Sequence, residues 1–267
     1  MPFTARQIAD AFEKIAPIES GLPGDELGFI YGEPNTEISG IACMWNAHAK
    51  SIQRAIDNGH NMLIVHETLF YHPQESGWYD GPENSGDIVA NRKRKSLLDE
   101  HGIVVYRSHS NWDALAIDGV PDQAVKALGI GELEIVDSQK FFRVHRLPRD
   151  FTVADLATLA GRGLDVEDVR IYGDGNRSIR NFAFLIGGFG GNQVHMPQAA
   201  SEMGAEAIII GEILEWVVIA ALECGLEVIA TVHSSSEIPA IRRQAEMLAD
   251  EFPDLPVEYI HSGMLGF

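Results

Sequence analysis

Apolar positions along the 267-residue chain alternate between helical and strand periods. Ile8, Phe12 and Ile15 recur at helical spacing behind Thr4, a residue suited to capping, so residues 4–16 read as an opening amphipathic helix. After Gly and Pro punctuation, Ile38 to Met44 reads as a strand, Lys50 to Asp57 as a helix and Met62 to Val65 as a short buried strand. A helix over Ile88 to Glu100 and a strand over Ile103 to Tyr106 continue the alternation. Such a pattern predicts an α/β protein with largely parallel pairing.

The same unit recurs downstream. Ala55 to Gly59 and Val65-His66-Glu67 align with Ala200 to Gly204 and Ile210-Gly211-Glu212 at a constant offset of 145 residues. The following segments repeat too: His101-Gly102 and a strand lead to His109 and Asp113, and Cys224-Gly225 and a strand lead to His233 and Glu237. Two related α/β lobes are therefore expected, 1–127 and 128–267, joined where signals are weakest, near residues 120–150. The strand-like Val257 to Ile260 is free to return to the first lobe.

Composition narrows the function. The chain is 45% hydrophobic and 22% charged, near globular averages, and has no apolar run near the ~20 residues of a spanning helix. A net charge of −19 argues against a phosphate-backbone binder, which would cluster Lys and Arg. The one dense basic run, Arg92 to Lys95, reads as a solvated helix face. Cys43 and Cys224 are too few for a disulfide framework or thiolate zinc site. The N-terminal residues lack the pattern of a signal peptide, so a cytoplasmic location is expected.

Three apolar strands run out into histidine, at His66, His109 and His233, and each histidine has a carboxylate close behind it in Glu67, Asp113 and Glu237. Ligands in open α/β sheets collect at the carboxyl ends of strands, so a metal site is expected there, between the lobes. Imidazole with carboxylate suits zinc, iron or manganese, and six donors suffice for two divalent ions. Any one strand-end histidine is more often a loop cap, but the pairing recurs. The glycines Gly187 to Gly191 either expose N–H groups to a phosphate or let the backbone approach the metal site. Of Trp45, Trp78, Trp112 and Trp216, base rate assigns most to the core; Trp112 and Trp216 flank proposed ligands and could wall a pocket.

These boxes resemble the hexameric dinuclear-metal proteins known as GTP cyclohydrolase 1 type 2 homologues. The resemblance covers most of the chain and rests on Ala55 to His72, on His109-Ser110-Asn111-Trp112-Asp113 against the family's His-Thr-Asn-Leu-Asp, on Gly211-Glu212 against its Gly-Asp, and on the closing His233 and Glu237. It implies a homohexamer and one or two divalent ions on His66, position 67, Asp113, His233 and Glu237, with His109 as ligand or supporting partner. Two positions depart from the pattern: Glu67 stands where the family has a second histidine, and Trp216 where it has another. Glutamate lowers site charge and favours harder ions, leaving mononuclear binding open. His72 is near enough in sequence to replace the imidazole, though its neighbours suit packing better. The expected function is a metal-dependent hydrolase acting through metal-bound hydroxide on a nucleotide-like substrate, with Glu212 or Glu237 moving protons; the alternative is a non-catalytic hexameric scaffold or regulatory interaction protein.

Overall fold

The computed structural model describes residues 2–73, 83–189 and 194–264. In chain order the first elements are β1 (Phe3–Thr4), α1 (Ala5–Phe12), β2 (Gly28–Tyr31), β3 (Glu37–Ile38), β4 (Ile41–Met44), α2 (Ala49–Asp57), β5 (Met62–Val65), α3 (Val89–Glu100), β6 (Val104–Arg107) and the single turn α4 (Ser110–Asp113). Then come α5 (Val120–Ala127), β7 (Glu134–Ser138), β8 (Arg143–Thr152), α6 (Val153–Leu164), β9 (Arg170–Tyr172) and β10 (Ser178–Phe189). The last are α7 (His195–Glu202), β11 (Ala207–Ile213), α8 (Glu215–Glu223), β12 (Glu227–Ala230), α9 (His233–Glu251) and β13 (Val257–Tyr259). Two compact units emerge. One holds the residues up to Leu115 with Ile241–Gly263; the other holds Ala116–Ala240 and the segment from Met264. Among the described residues no helix is long and apolar enough to cross a membrane.

The first unit is built on a five-stranded sheet ordered β13-β4-β5-β6-β2, in which all neighbours are parallel except the edge strand β2. Every residue of β4, β5 and β6 is buried, which is why these strands read as apolar runs, broken only by Arg107 at the end of β6. Ala42, Met44, Leu63, Val65 and Val105 pack with Ile52 and Ala55 of α2 and Leu98 of α3. Thr4 caps α1 through Gln7 N in a reciprocal capping box. Helix α1 buries Phe12 against Tyr106 and Trp112, with ring centroids 6.0 and 5.6 Å away.

The second unit has a six-stranded sheet ordered β7-β8-β10-β11-β12-β9. Its middle repeats the first: β10, β11 and β12 are parallel and β9 closes them antiparallel, as β4, β5, β6 and β2 do. The offset survives in the register, because Met62 opposes Val104 and Ala207, 145 residues beyond Met62, opposes Glu227. Phe151-Thr152 opens α6 with a capping box, as Phe3-Thr4 opens α1. Side chains alternate across this sheet. Phe182, Phe184, Ile209 and Ile229 meet α5 and α6; Ala183, Leu185, Ile208 and Val228 meet α7 and α8.

The stretch 120–150, where signals are weakest, carries α5, β7 and most of β8. β7 is an edge strand exposed at every residue, so no apolar pattern marks it. One expectation is corrected: the basic run is not wholly solvated. Arg94 is buried, donates to Leu69 O at 2.5 Å and Tyr71 Oη at 2.9 Å, and lies over the Tyr71 ring, tying α3 to the loop after Glu67. That structural use of a guanidinium fits its planar fork of donors.

His145 in β8 is 5% exposed, lies beside Phe182, and finds no partner for Nδ1 among the described residues. Burial pushes its pKa down to about 4, with Arg143 adding to the depression and Asp122 opposing it. The folded chain therefore binds fewer protons than the unfolded chain between the unfolded value near 6.5 and about 4. Its neutral form supports folding fully above pH ~6.5, and that support is lost as pH falls toward 4. His145→Phe should flatten the acid limb of a stability-versus-pH curve measured by urea unfolding, by up to about 3 kcal/mol between those limits.

Candidate metal centre

In the first unit the site begins at the carboxyl end of β5. His66 follows directly, its N–H held by the carbonyls of Met44 and Trp45, and its side chain is buried. The ring Nδ1 lies 3.1 Å from Ser108 O. A carbonyl can only accept, so Nδ1 carries hydrogen, and in the neutral ring Nε2 holds the lone pair. Nε2 in turn lies 3.5 Å from Asp113 Oδ1. Glu67, half-buried, donates its N–H to Trp45 O at 2.8 Å.

The next strand supplies His109 two residues beyond β6. The rings of His66 and His109 meet edge to face, centroids 4.9 Å apart. One ligand atom from each of His66, Glu67 and His109 lies within 4.8 Å of the other two. Ser110 to Asp113 form one helical turn that sets Asp113 beside His66; Asn111 anchors that turn by donating to Ala16 O at 2.8 Å.

The sequence reading missed Asp25 and Arg107. Asp25 Oδ2 lies 2.8 Å from His109 Nδ1 and accepts from Ser110 N and Oγ at 3.2 and 2.6 Å. Its Oδ1 accepts from Arg107 at 2.6 Å. Burial alone would raise the Asp25 pKa, but the His109 and Ser110 hydrogen bonds and the His109 and Arg107 charges outweigh it, holding the carboxylate well below the usual range. For His109, burial pulls downward, while the hydrogen bond to Asp25 and the charge of Asp113 bring a net rise. Arg107 Nε also donates to His66 O at 3.0 Å. One guanidinium thus braces the backbone of one histidine and the carboxylate partner of the other.

The second unit brings together His233, Glu237 and Glu212. His233 opens α9, and Glu237, buried one turn later, has Oε1 3.2 Å from His233 Nε2. Glu212, mostly exposed at the end of β11, has Oε1 3.2 Å from His233 Nδ1. The glycines of β10 wrap this pair. A Cβ at Gly187, whose φ is +68°, would lie 2.6 Å from Glu237 Oε1 and 3.0 Å from His233 Nε2. Gly187 N donates to Ser236 Oγ. Gly211 holds the repeat position of His66. Its Cβ would fall 2.4 Å from Gly187 O and 2.7 Å from His233 Cα, so no larger residue fits. Gly190 and Gly191 of that glycine run lie outside the described residues.

Two imidazoles with a carboxylate form the donor set of catalytic zinc sites and of the iron facial triad, and both leave coordination positions open. The His66, Glu67 and His109 set fits a divalent ion on that chemistry. The other sequence candidates fall elsewhere. Trp112 is fully buried and stacked on Phe12, Trp45 is half-buried, Trp216 is 56% exposed on α8, and Trp78 lies outside the described residues. His72 is exposed, with Nδ1 3.3 Å from Ser85 Oγ, so it does not pack in the core as expected.

The Duf34/NIF3 (NGG1p interacting factor 3) family profile matches residues 3–264 of this chain. The chain belongs to that family. Among Duf34/NIF3 relatives, a GTP cyclohydrolase 1 type 2 homolog of Clostridium perfringens is 26% identical over 264 residues, spanning 96% of this chain and 94% of its own. A Bacillus cereus protein related to NIF3 superposes with a TM-score of 0.81 at 16% identity, over 99% of this chain and 97% of its own. A Staphylococcus aureus hypothetical protein gives 0.82 at 17%, over 100% and 99%. At these identities the solved structures establish the Duf34/NIF3 fold.

Proposed function

We propose that this Duf34/NIF3 protein binds one or two divalent ions, zinc, iron or manganese, and hydrolyses a nucleotide-like substrate in the cytoplasm. The ligands in this reading are His66, Glu67, His109 and Asp113 in one set and His233 and Glu237 in the other. The observation that carries it is the approach of three ligand atoms to within 4.8 Å in the first unit. Each imidazole there already has Nδ1 on an oxygen acceptor. Bound metal supplies Lewis acidity toward water and an electrophilic carbon or phosphorus.

The chain's own groups supply the rest. Ser108 O and Asp25 hold the two rings so that Nε2 is the donor atom. Glu212, exposed and beside His233 Nδ1, or the ligand carboxylate Glu237 would carry protons to and from the substrate. The nucleotide-like substrate follows from the name of the relatives. A cytoplasmic setting accords with Cys43 and Cys224, which are free thiols.

A second reading, a metal-dependent homohexameric scaffold or regulatory partner, draws on the apolar side of α8, where Trp216 and Ile219 are each 56% exposed. Protein purified without chelator and offered zinc, iron and manganese should retain at least about one ion per chain, as read by elemental analysis. A lower content sinks the metal reading. Glu237→Gln should abolish turnover across a panel of nucleotides, phosphoesters and cyclic amidines while leaving assembly intact. If the metal-loaded wild-type protein turns over nothing in that panel and metal removal disperses its oligomer, the scaffold reading replaces the enzyme.

A further inference from the structure

The loop from Gly21 to Leu27 takes no part in the sheet, yet it is fitted closely to the turn that carries His109. Leu22 N donates to Ser110 Oγ at 2.8 Å, and a Cβ at Gly21 would come within 2.9 Å of that same oxygen. Asp25 N closes a turn onto Leu22 O. The result is a carboxylate, 13% exposed, whose two oxygens have separate duties: Oδ1 receives Arg107, and Oδ2 receives His109 Nδ1 and Ser110.

We infer that Asp25 is the positioning residue of the metal centre, fixing His109 as the Nδ1–H tautomer so that Nε2 is the ligand atom. This rests on the metal reading above. An ionised carboxylate only accepts, so His109 Nδ1 must carry the hydrogen on their shared bond. Arg107 makes the assignment directional. Its guanidinium only donates, so whatever stands at Oδ1 must be an acceptor.

That asymmetry makes Asp25→Asn informative. Arg107, the short charge-assisted donor at 2.6 Å, would hold the amide oxygen at the Oδ1 position, turning the NH2 toward His109 at the expense of the longer Ser110 N–H bond of 3.2 Å. His109 Nδ1 would then have to accept, its proton would move to Nε2, and the donor atom would be lost. The substitution is isosteric and leaves the loop its volume. Glu258→Gln serves as the control, because it makes the same carboxylate-to-amide exchange beside a histidine outside the ligand set, His60, 3.1 Å away.

The experiment pairs 15N imidazole NMR on metal-free protein with zinc affinity from chelator competition. At a pH where the ring is neutral, wild-type His109 should show hydrogen on Nδ1 alone, and Asp25→Asn on Nε2 alone. Zinc affinity should fall roughly 10–100-fold in Asp25→Asn, the usual cost of removing a partner behind a metal ligand, and stay within about twofold in Glu258→Gln. An unchanged tautomer, or an unchanged affinity with the tautomer reversed, overturns the inference. A wild-type chain that binds no zinc yet shows the Nδ1–H form would instead overturn the metal reading and leave Asp25's hold on the ring in place. Should Asp25→Asn fail to fold, the wild-type spectrum decides alone: a neutral His109 protonated on Nε2 in place of Nδ1 refutes the assignment.

Discussion

Replacing His66 with alanine should lower the metal affinity of the first ligand set by more than about 100-fold, beyond the roughly 10–100-fold typical of partners behind the ligands. His66 is placed by two independent constraints. Its backbone is fixed at the end of β5 by the carbonyls of Met44 and Trp45, and its ring by Ser108 O. With both in place Nε2 lies 3.5 Å from Asp113 Oδ1, a spacing a bound cation could bridge. Alanine keeps the backbone and deletes the donor. It also leaves Ser108 O without the imidazole proton in a buried setting, which costs about 1–3 kcal/mol. Elemental analysis after dialysis and urea unfolding of the metal-free protein separate the two effects. Retention of wild-type metal content would remove His66 from the ligand set.

Gly187→Ala should cost about 2–4 kcal/mol, of which the left-handed backbone accounts for about 1–2 and the crowding of His233 and Glu237 for the remainder. Gly59→Ala is the matched comparison. Gly59 has a φ of +83°, but a Cβ there would meet nothing within 4 Å, so only the backbone cost of about 1–2 kcal/mol applies. The difference between the two variants, read from urea midpoints, isolates how tightly β10 closes on the histidine and glutamate. Equal losses would show that the pair gives way freely. A second consequence is specific to Gly187: the added methyl displaces Glu237 Oε1, so metal binding by that residue weakens while in Gly59→Ala it does not.

The interior strands were legible because they are buried on both faces. β5 falls at Met62–Val65 as its apolar run predicts, and β6 and α3 lie within a residue of their expected bounds. Edge strands were not. β7 is exposed throughout, and β9 is only three residues long with an exposed Arg170 beside half-buried Ile171 and Tyr172, so neither presents a clear apolar stripe. Of the site, the residues at strand ends could be read, since termination of an apolar run marks the place where a side chain leaves the sheet. Asp25 could not. It lies 84 positions from His109, in a loop whose spacing has no period to read. Arg94 illustrates a different blindness: within Arg92 to Lys95 nothing in residue type distinguishes the one buried guanidinium from its solvated neighbours.

The exchange of His66 for Gly211 at equivalent repeat positions bears on how such a chain can be shortened or rebuilt. Two tandem copies of the first half would place a histidine where the second half has no room for one, against Gly187 O and His233 Cα. Two copies of the second half would lack the Asp25, Arg107 and His109 brace altogether. The halves share a sheet plan but have become non-interchangeable parts, so a minimal version of this protein has to keep both.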